Sequence, residues 1–269
     1  MSVGQQEPPH PPRSQRWGPW RLLPKSEPAK RLKILALHGF GGAPGELRPL
    51  GQALRSRGFL CQAPLLPGHG ENLEGMAGIQ LADWLEAVQL SYESLRVDDS
   101  PVVLLGFCLG GSLALRLAST LRPRAVCLLS TPVSPFPKTT FPLLGNLRSL
   151  ERSLSDSASA EVQRWRSLGS HPLVPDSFFQ QFQSLLGQLS RDLTPLDCPL
   201  LVAQSRFDKI TSPSDAERIV RAVQSPRAKL VWSKKSGHCL PLDVGRRELF
   251  DEVVSFLETE DGNLASRFS

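Results

Sequence analysis

Short apolar runs alternate with longer amphipathic segments through most of this chain, and that alternation narrows the possible folds more than any other feature. Leu32 to Leu37 is a continuous β-type run, the pattern of a strand buried on both faces. Phe59 to Ala63, Val102 to Leu105, Ala125 to Leu129, Leu200 to Gln204 and Lys229 to Trp232 repeat it. Between them lie helical spacings: Leu47, Leu50 and Leu54; Leu81, Trp84, Leu85, Val88 and Leu95; Leu109 to Leu121; Ala216 to Val223; and Arg246 to Leu257. Strands that alternate with helices predict right-handed crossovers and a mostly parallel sheet with helices on both faces, an α/β fold.

The alternation stops between 132 and 196. This stretch is rich in Ser, Arg and Pro, with helices expected near Ala160 to Leu168 and from Ser177 to Leu189. In the second, Phe178, Phe179, Phe182, Leu185, Leu186 and Leu189 share one face, as in a small helical cap that both docks on a core and roofs a pocket. We therefore expect a core of 31–131 and 197–260, a cap or lid inserted at 132–196, and a short C-terminal tail at 261–269. Residues 1–30 carry Pro8, Pro9, Pro11, Pro12, Pro19, Pro24 and Pro28 and are expected to form a flexible tail, tacked to the domain by Trp17 and Trp20.

A net charge of +5 raises the question of a nucleic-acid partner, but the basic residues are scattered and not interleaved with aromatics. No nucleic acid is expected. Cys61, Cys108, Cys127, Cys198 and Cys239 lack both disulfide-framework spacing and the paired spacing of a zinc site, which points to a reducing, cytoplasmic setting with no metal or other cofactor. No stretch approaches the ~20 apolar residues a membrane helix needs, and the N-terminus has no apolar signal region, so stable membrane insertion is not expected.

The chemistry concentrates in Gly106-Phe107-Cys108-Leu109-Gly110-Gly111, between an expected strand and an expected helix. Small residues two before and two after a nucleophile let strand and helix approach while the nucleophile occupies a strained turn. At a helix N-terminus, backbone N–H groups and the helix dipole favour a thiolate. His238 follows the strand Lys229 to Trp232, and Asp208 follows Leu200 to Gln204. The order nucleophile, acid, histidine, each after a strand, puts all three at the carboxyl edge of one sheet. The backbone N–H of Leu109 and that of Phe40, in His38-Gly39-Phe40-Gly41-Gly42, are the candidate oxyanion donors. Gly39, Gly41, His69, Phe107 and Phe182 are candidates for contact with substrate. His38 is read as a support for its own loop.

These motifs, with Pro67-Gly68-His69-Gly70, Phe207-Asp208 before Ser212-Pro213, and Ser236-Gly237-His238 before Leu242-Asp243, resemble those of the small bacterial carboxylesterases and monoacylglycerol lipases of the α/β-hydrolase superfamily. The resemblance spans roughly residues 31 to 258. It implies the α/β-hydrolase fold, with Ser, Asp and His at the positions of Cys108, Asp208 and His238, and oxyanion donors at Phe40 and Leu109. The departure is the cysteine. Gly-Phe-Cys-Leu-Gly-Gly also resembles the nucleophile box of polyhydroxyalkanoate synthases, which use cysteine on this fold with acyl thioesters. An acyl hydrolase acting on a small ester or thioester is the leading expectation. An acyltransferase and a non-catalytic binding member are the alternatives.

Overall fold

The computed structural model describes residues 18–25, 31–69, 73–97, 99–137, 174–225 and 227–265. Among these residues one seven-stranded sheet is formed by β1 (Trp20–Leu22), β2 (Lys33–Leu37), β3 (Leu60–Ala63), β4 (Val102–Phe107), β5 (Ala125–Leu129), β6 (Leu200–Ser205) and β7 (Ala228–Ser233). Its order is β1-β3-β2-β4-β5-β6-β7, antiparallel only between β1 and β3. Every residue of β4, β5 and β6 is buried. Because successive side chains point to opposite faces, that pattern requires cover on both.

The cover comes from α1 (Arg48–Ser56), α2 (Leu73–Ala77), α3 (Leu81–Leu95), α4 (Leu109–Leu121), α5 (Asp176–Arg191), α6 (Pro213–Val223) and α7 (Arg246–Ala265). The α1 and α7 helices pack together, and α4 packs with α3 and α5. The expected helix from Ser177 to Leu189 is therefore present as α5, and its six predicted apolar residues are buried. The helix expected near Ala160 to Leu168 lies outside the described residues. Asp215 on α6 accepts from the Val133 and Ser134 N–H groups at 3.0 and 3.3 Å, and Gln183 on α5 bonds both backbone groups of Phe136 at 2.9 Å. These bonds tie the chain leaving β5 to α6 and α5.

Two expectations about the chain ends need correction. Residues 1–30 are not all flexible tail, since Trp20–Leu22 forms an edge strand on β3. The Trp20 indole is buried against α1, and its N–H donates to Pro44 O at 2.7 Å. Three residues are too few to show a period of two, and the flanking prolines, which argue for coil, are also compatible with a sheet edge. At the other end α7 continues to Ala265 and does not stop near Leu257. Asp261 accepts from the Arg31 and Leu32 N–H groups at 2.9 and 3.0 Å, and Glu260 pairs with Arg124 and Arg227 at 3.3 and 3.0 Å. These two acidic residues are buried partners for the start of β2 and for two arginines.

The sheet order reverses at β2, whose neighbours are β3 on one side and β4 on the other. The carboxyl ends of β2 and β4 thus open a crevice where the chain turns away in opposite directions, the usual ligand position in such sheets. Loops after β6 and β7 arrive at the same edge.

Candidate active site

Four loops at that edge build the site. Cys108 occupies the turn from β4 into α4 at φ 50° and ψ −114°, a region that costs a non-glycine residue roughly 1–3 kcal/mol. Its N–H donates to Leu129 O at 3.0 Å, and its carbonyl accepts from Gly111 and Ser112 N–H at 3.0 and 3.1 Å. Bonds on both sides hold the turn. The sulfur consequently stands at the N-terminus of α4, with the residue only 6% exposed.

The turn depends on close backbone approach. A Cβ on Gly110 would strike the Leu37 carbonyl, and one on Gly106 would strike the backbone of Gly110. Neither partner is a flexible side chain that could move aside. Gly110→Ala is expected to destabilise the protein by about 3 kcal/mol, lowering the thermal midpoint by roughly 6–10 °C. A shift below about 2 °C in a circular-dichroism melt would show that β2 and α4 do not need this contact.

His238, from the loop after β7, places Nδ1 2.9 Å from Asp208 Oδ2, and Cys108 interacts with the same imidazole. Asp208 Oδ1 accepts from the Ile210 and Thr211 N–H groups at 2.8 and 2.9 Å, and Oδ2 also accepts from Gln204 Nε2 at 2.8 Å. Burial pushes the Asp208 carboxyl up, but the His238 charge and these donors outweigh it and hold the group below its ordinary value. Burial likewise pulls the His238 imidazole down. The Asp208 carboxylate and Cys108 override that effect and hold it well above its ordinary value. The imidazole thus lies between a carboxylate and a sulfur, surroundings that favour its protonated form.

Three further residues hold the His238 loop. Ser130 Oγ donates to His238 O at 2.7 Å, Ser205 Oγ donates to Ser236 O, and buried Asp243 accepts from Gly237 N–H at 2.7 Å.

The loop after β2 forms a tight turn, Gly42 N–H donating to Gly39 O at 3.2 Å with Gly41 at φ 66°. Only a residue free of Cβ strain suits that corner well. His38 Nε2 accepts from Leu66 N–H at 3.1 Å, which puts its proton on Nδ1, donating to Gly39 O at 3.0 Å. Burial, with His69 nearby, keeps His38 neutral by lowering it well below its ordinary value. Another bond tethers the loop to α4, from Gly110 N–H to His38 O at 3.1 Å. Among the described residues, neither the Phe40 nor the Leu109 N–H has a protein acceptor. Two backbone donors on adjoining loops can therefore serve a bound oxygen.

The other candidates divide. Phe107 lies beside the imidazole, ring centres 5.3 Å apart, and Gly39 packs against it. Phe182 stacks on Phe40 at 5.1 Å, joined by Phe178, Phe179 and Trp84, so α5 rests directly on the loop that carries Phe40. His69 is inside this aromatic cluster and not at a mouth, only 2% exposed and 4.7 Å from His38, and burial drops it to about 4. Sequence reasoning missed Gln204 and Glu46. The first sits within a strand run and reads as its end. The second follows a glycine-rich loop as an ordinary first-turn acid.

A model of the alpha/beta hydrolase family matches residues 34–252. The chain belongs to this family. Among similar proteins, a carboxylesterase of Bacillus subtilis (strain 168) is 26% identical over 234 residues, covering 85% of this chain and 93% of its own. A thermostable monoacylglycerol lipase of Bacillus sp. (strain H-257) is 25% identical over 232 residues, covering 85% and 91%. A metagenome-derived lipolytic enzyme of known structure superposes with a TM-score of 0.77 at 20% identity, covering 91% of this chain and 98% of its own. Among the described residues no helix is long and apolar enough to cross a membrane.

Proposed function

We propose that this protein is an acyl hydrolase of the carboxylesterase and lipase type, cleaving carboxylic ester or thioester bonds through Cys108, His238 and Asp208. The observation that carries this is the chain of contacts from Asp208 through His238 to Cys108, with Cys108 held in a strained turn at a helix N-terminus. A strained nucleophile beside an oriented imidazole has a chemical use that a binding module lacks.

The steps follow from the atoms. The Cys108 sulfur, its proton passed to His238, attacks the acyl carbon and forms a tetrahedral adduct. Phe40 and Leu109 N–H groups receive the negative oxygen. His238 gives its proton to the departing alkoxide or thiolate, leaving an acyl group on Cys108. Water then enters, His238 takes its proton, and the second adduct collapses to the free acid and the restored sulfur. The α5 helix acts as a cap element, placing Phe182 against Phe40 beside the oxyanion donors.

Cysteine alters which substrates suit the site. With an oxygen ester the adduct expels the thiolate, conjugate base of a thiol with pKa ~8.5, more readily than an alkoxide, so collapse runs mostly backwards. With a thioester the two leaving groups are matched. Wild type is therefore expected to prefer a thioester over the oxygen ester of the same medium-chain acid, and Cys108→Ser to lose that preference by roughly tenfold or more. Both rates in both proteins decide it. An unchanged ratio rejects thioester selectivity, and no turnover of either substrate by wild type rejects hydrolysis.

A further inference from the structure

Glu46 has no part in the mechanism above, yet it stands at the site. It follows the Gly39 to Gly42 turn, in the short 3-10 helix Pro44–Leu47. Its Oε2 accepts from Gly39 N–H at 3.1 Å, and its carboxyl fills the space over Gly42 so closely that a Cβ there would have to displace it. Gly39 in turn packs on the Phe107 ring that flanks His238. The carboxyl is surrounded by protein, although part of the residue's surface is open.

We propose that Glu46 is a positioning residue for acyl transfer, its carboxylate fixing the turn that carries Phe40 and adding to the negative charge that acts on His238. The inference rests on the acyl-transfer reading of the site.

Among the described residues, the groups around Glu46 come from several elements. His238 on the loop after β7 interacts with it electrostatically. Asp208 on the loop after β6 bonds that same imidazole, Cys108 on the β4–α4 turn interacts with it, and His38 at the end of β2 is held neutral by burial. Burial raises the Glu46 carboxyl to about 7, with the Gly39 N–H, the His238 charge and the Ala43 N–H pulling the other way. Its charge consequently appears as pH rises through neutrality, and the ionised form is the one that supports His238.

The test compares wild type with Glu46→Gln, an isosteric change that keeps an oxygen for Gly39 N–H and removes the charge. Alkylation of Cys108 by iodoacetamide, mapped by peptide mass, and turnover of a medium-chain thioester are each followed from pH 5.5 to 8.5. In wild type both rates are expected to carry a rise centred near pH 7. Glu46→Gln is expected to lose that rise, running roughly fivefold below wild type at pH 8 and within twofold at pH 5.5. A merely structural role would lower rates by the same factor at every pH. If Glu46→Gln keeps the rise in both measurements, or loses rate uniformly, the proposal is wrong. If thioester turnover is absent in wild type, hydrolysis fails, while the alkylation profile still decides whether Glu46 sets the charge of the pair. Near-UV circular dichroism of the variant confirms that the fold is retained.

Discussion

Cys108→Ala is expected to lower kcat/KM on ester and thioester alike by roughly 10⁴- to 10⁶-fold while leaving the protein folded. The size of the effect comes from covalency. Removing the sulfur removes the atom that would hold the acyl group, so only binding and the Phe40 and Leu109 donors remain to help water. Ala also fits the space, since Cys108 is buried and the change deletes one atom without adding any. The backbone bonds that pin the turn use N–H and C=O groups that alanine keeps. Relief of strain is not expected, because alanine has a Cβ and meets the same positive φ. Intact-protein mass supplies a second reading: after brief exposure to an activated ester, wild type gains one acyl mass and the variant gains none. Activity within tenfold of wild type in the alanine variant would place the nucleophile elsewhere.

The elements that carry this chemistry were legible because each leaves a local mark. The six apolar runs became β2 to β7 with boundaries moved by a residue or two, most plainly in β4, β5 and β6, since a strand buried on both faces cannot hide among polar residues. Gly106 and Gly110 announced the turn because close approach of backbone to backbone tolerates no side chain. What was not legible depends on partners distant in sequence. Asp261 caps backbone groups 230 and 229 residues away, and nothing near it in the chain signals that. Trp20 reads as a lone aromatic in a proline-rich tail until Pro44 and the edge of β3 are known. Glu46 shows the same limit within the site. Its importance arises from Gly39 and His238, and a first-turn acid next to a glycine loop looks the same in sequence whether or not it faces a histidine.

Gln204 bears on the second large effect. In Asp208→Asn one oxygen and one amino group must replace two oxygens that together face four donors: the Ile210 and Thr211 N–H groups, Gln204 Nε2 and His238 Nδ1. With the Asn oxygen kept on the two backbone donors, its amino group meets the other two. Relief requires the Gln204 amide to turn, presenting the Oε1 that is otherwise without a partner, and the His238 proton to move from Nδ1 to Nε2. That tautomer points a proton at Cys108, so the imidazole can no longer receive one. A fall in kcat/KM of roughly 10³- to 10⁴-fold is expected at neutral pH, the size seen when a triad acid is made neutral.

Stability separates this account from simple misfolding. Asp208 titrates below its ordinary value, so its contribution is complete above about pH 4 and is lost as pH falls through the lowered value. His238 titrates well above its ordinary value, so its contribution is complete below about pH 6.5 and is lost as pH rises through the raised value. The gap in thermal midpoint between wild type and Asp208→Asn should therefore be widest at roughly pH 5 to 6.5 and narrow on either side. A gap that does not change with pH would mean that the pair is uncharged in the fold, and the proton path from Cys108 through His238 would have to be redrawn.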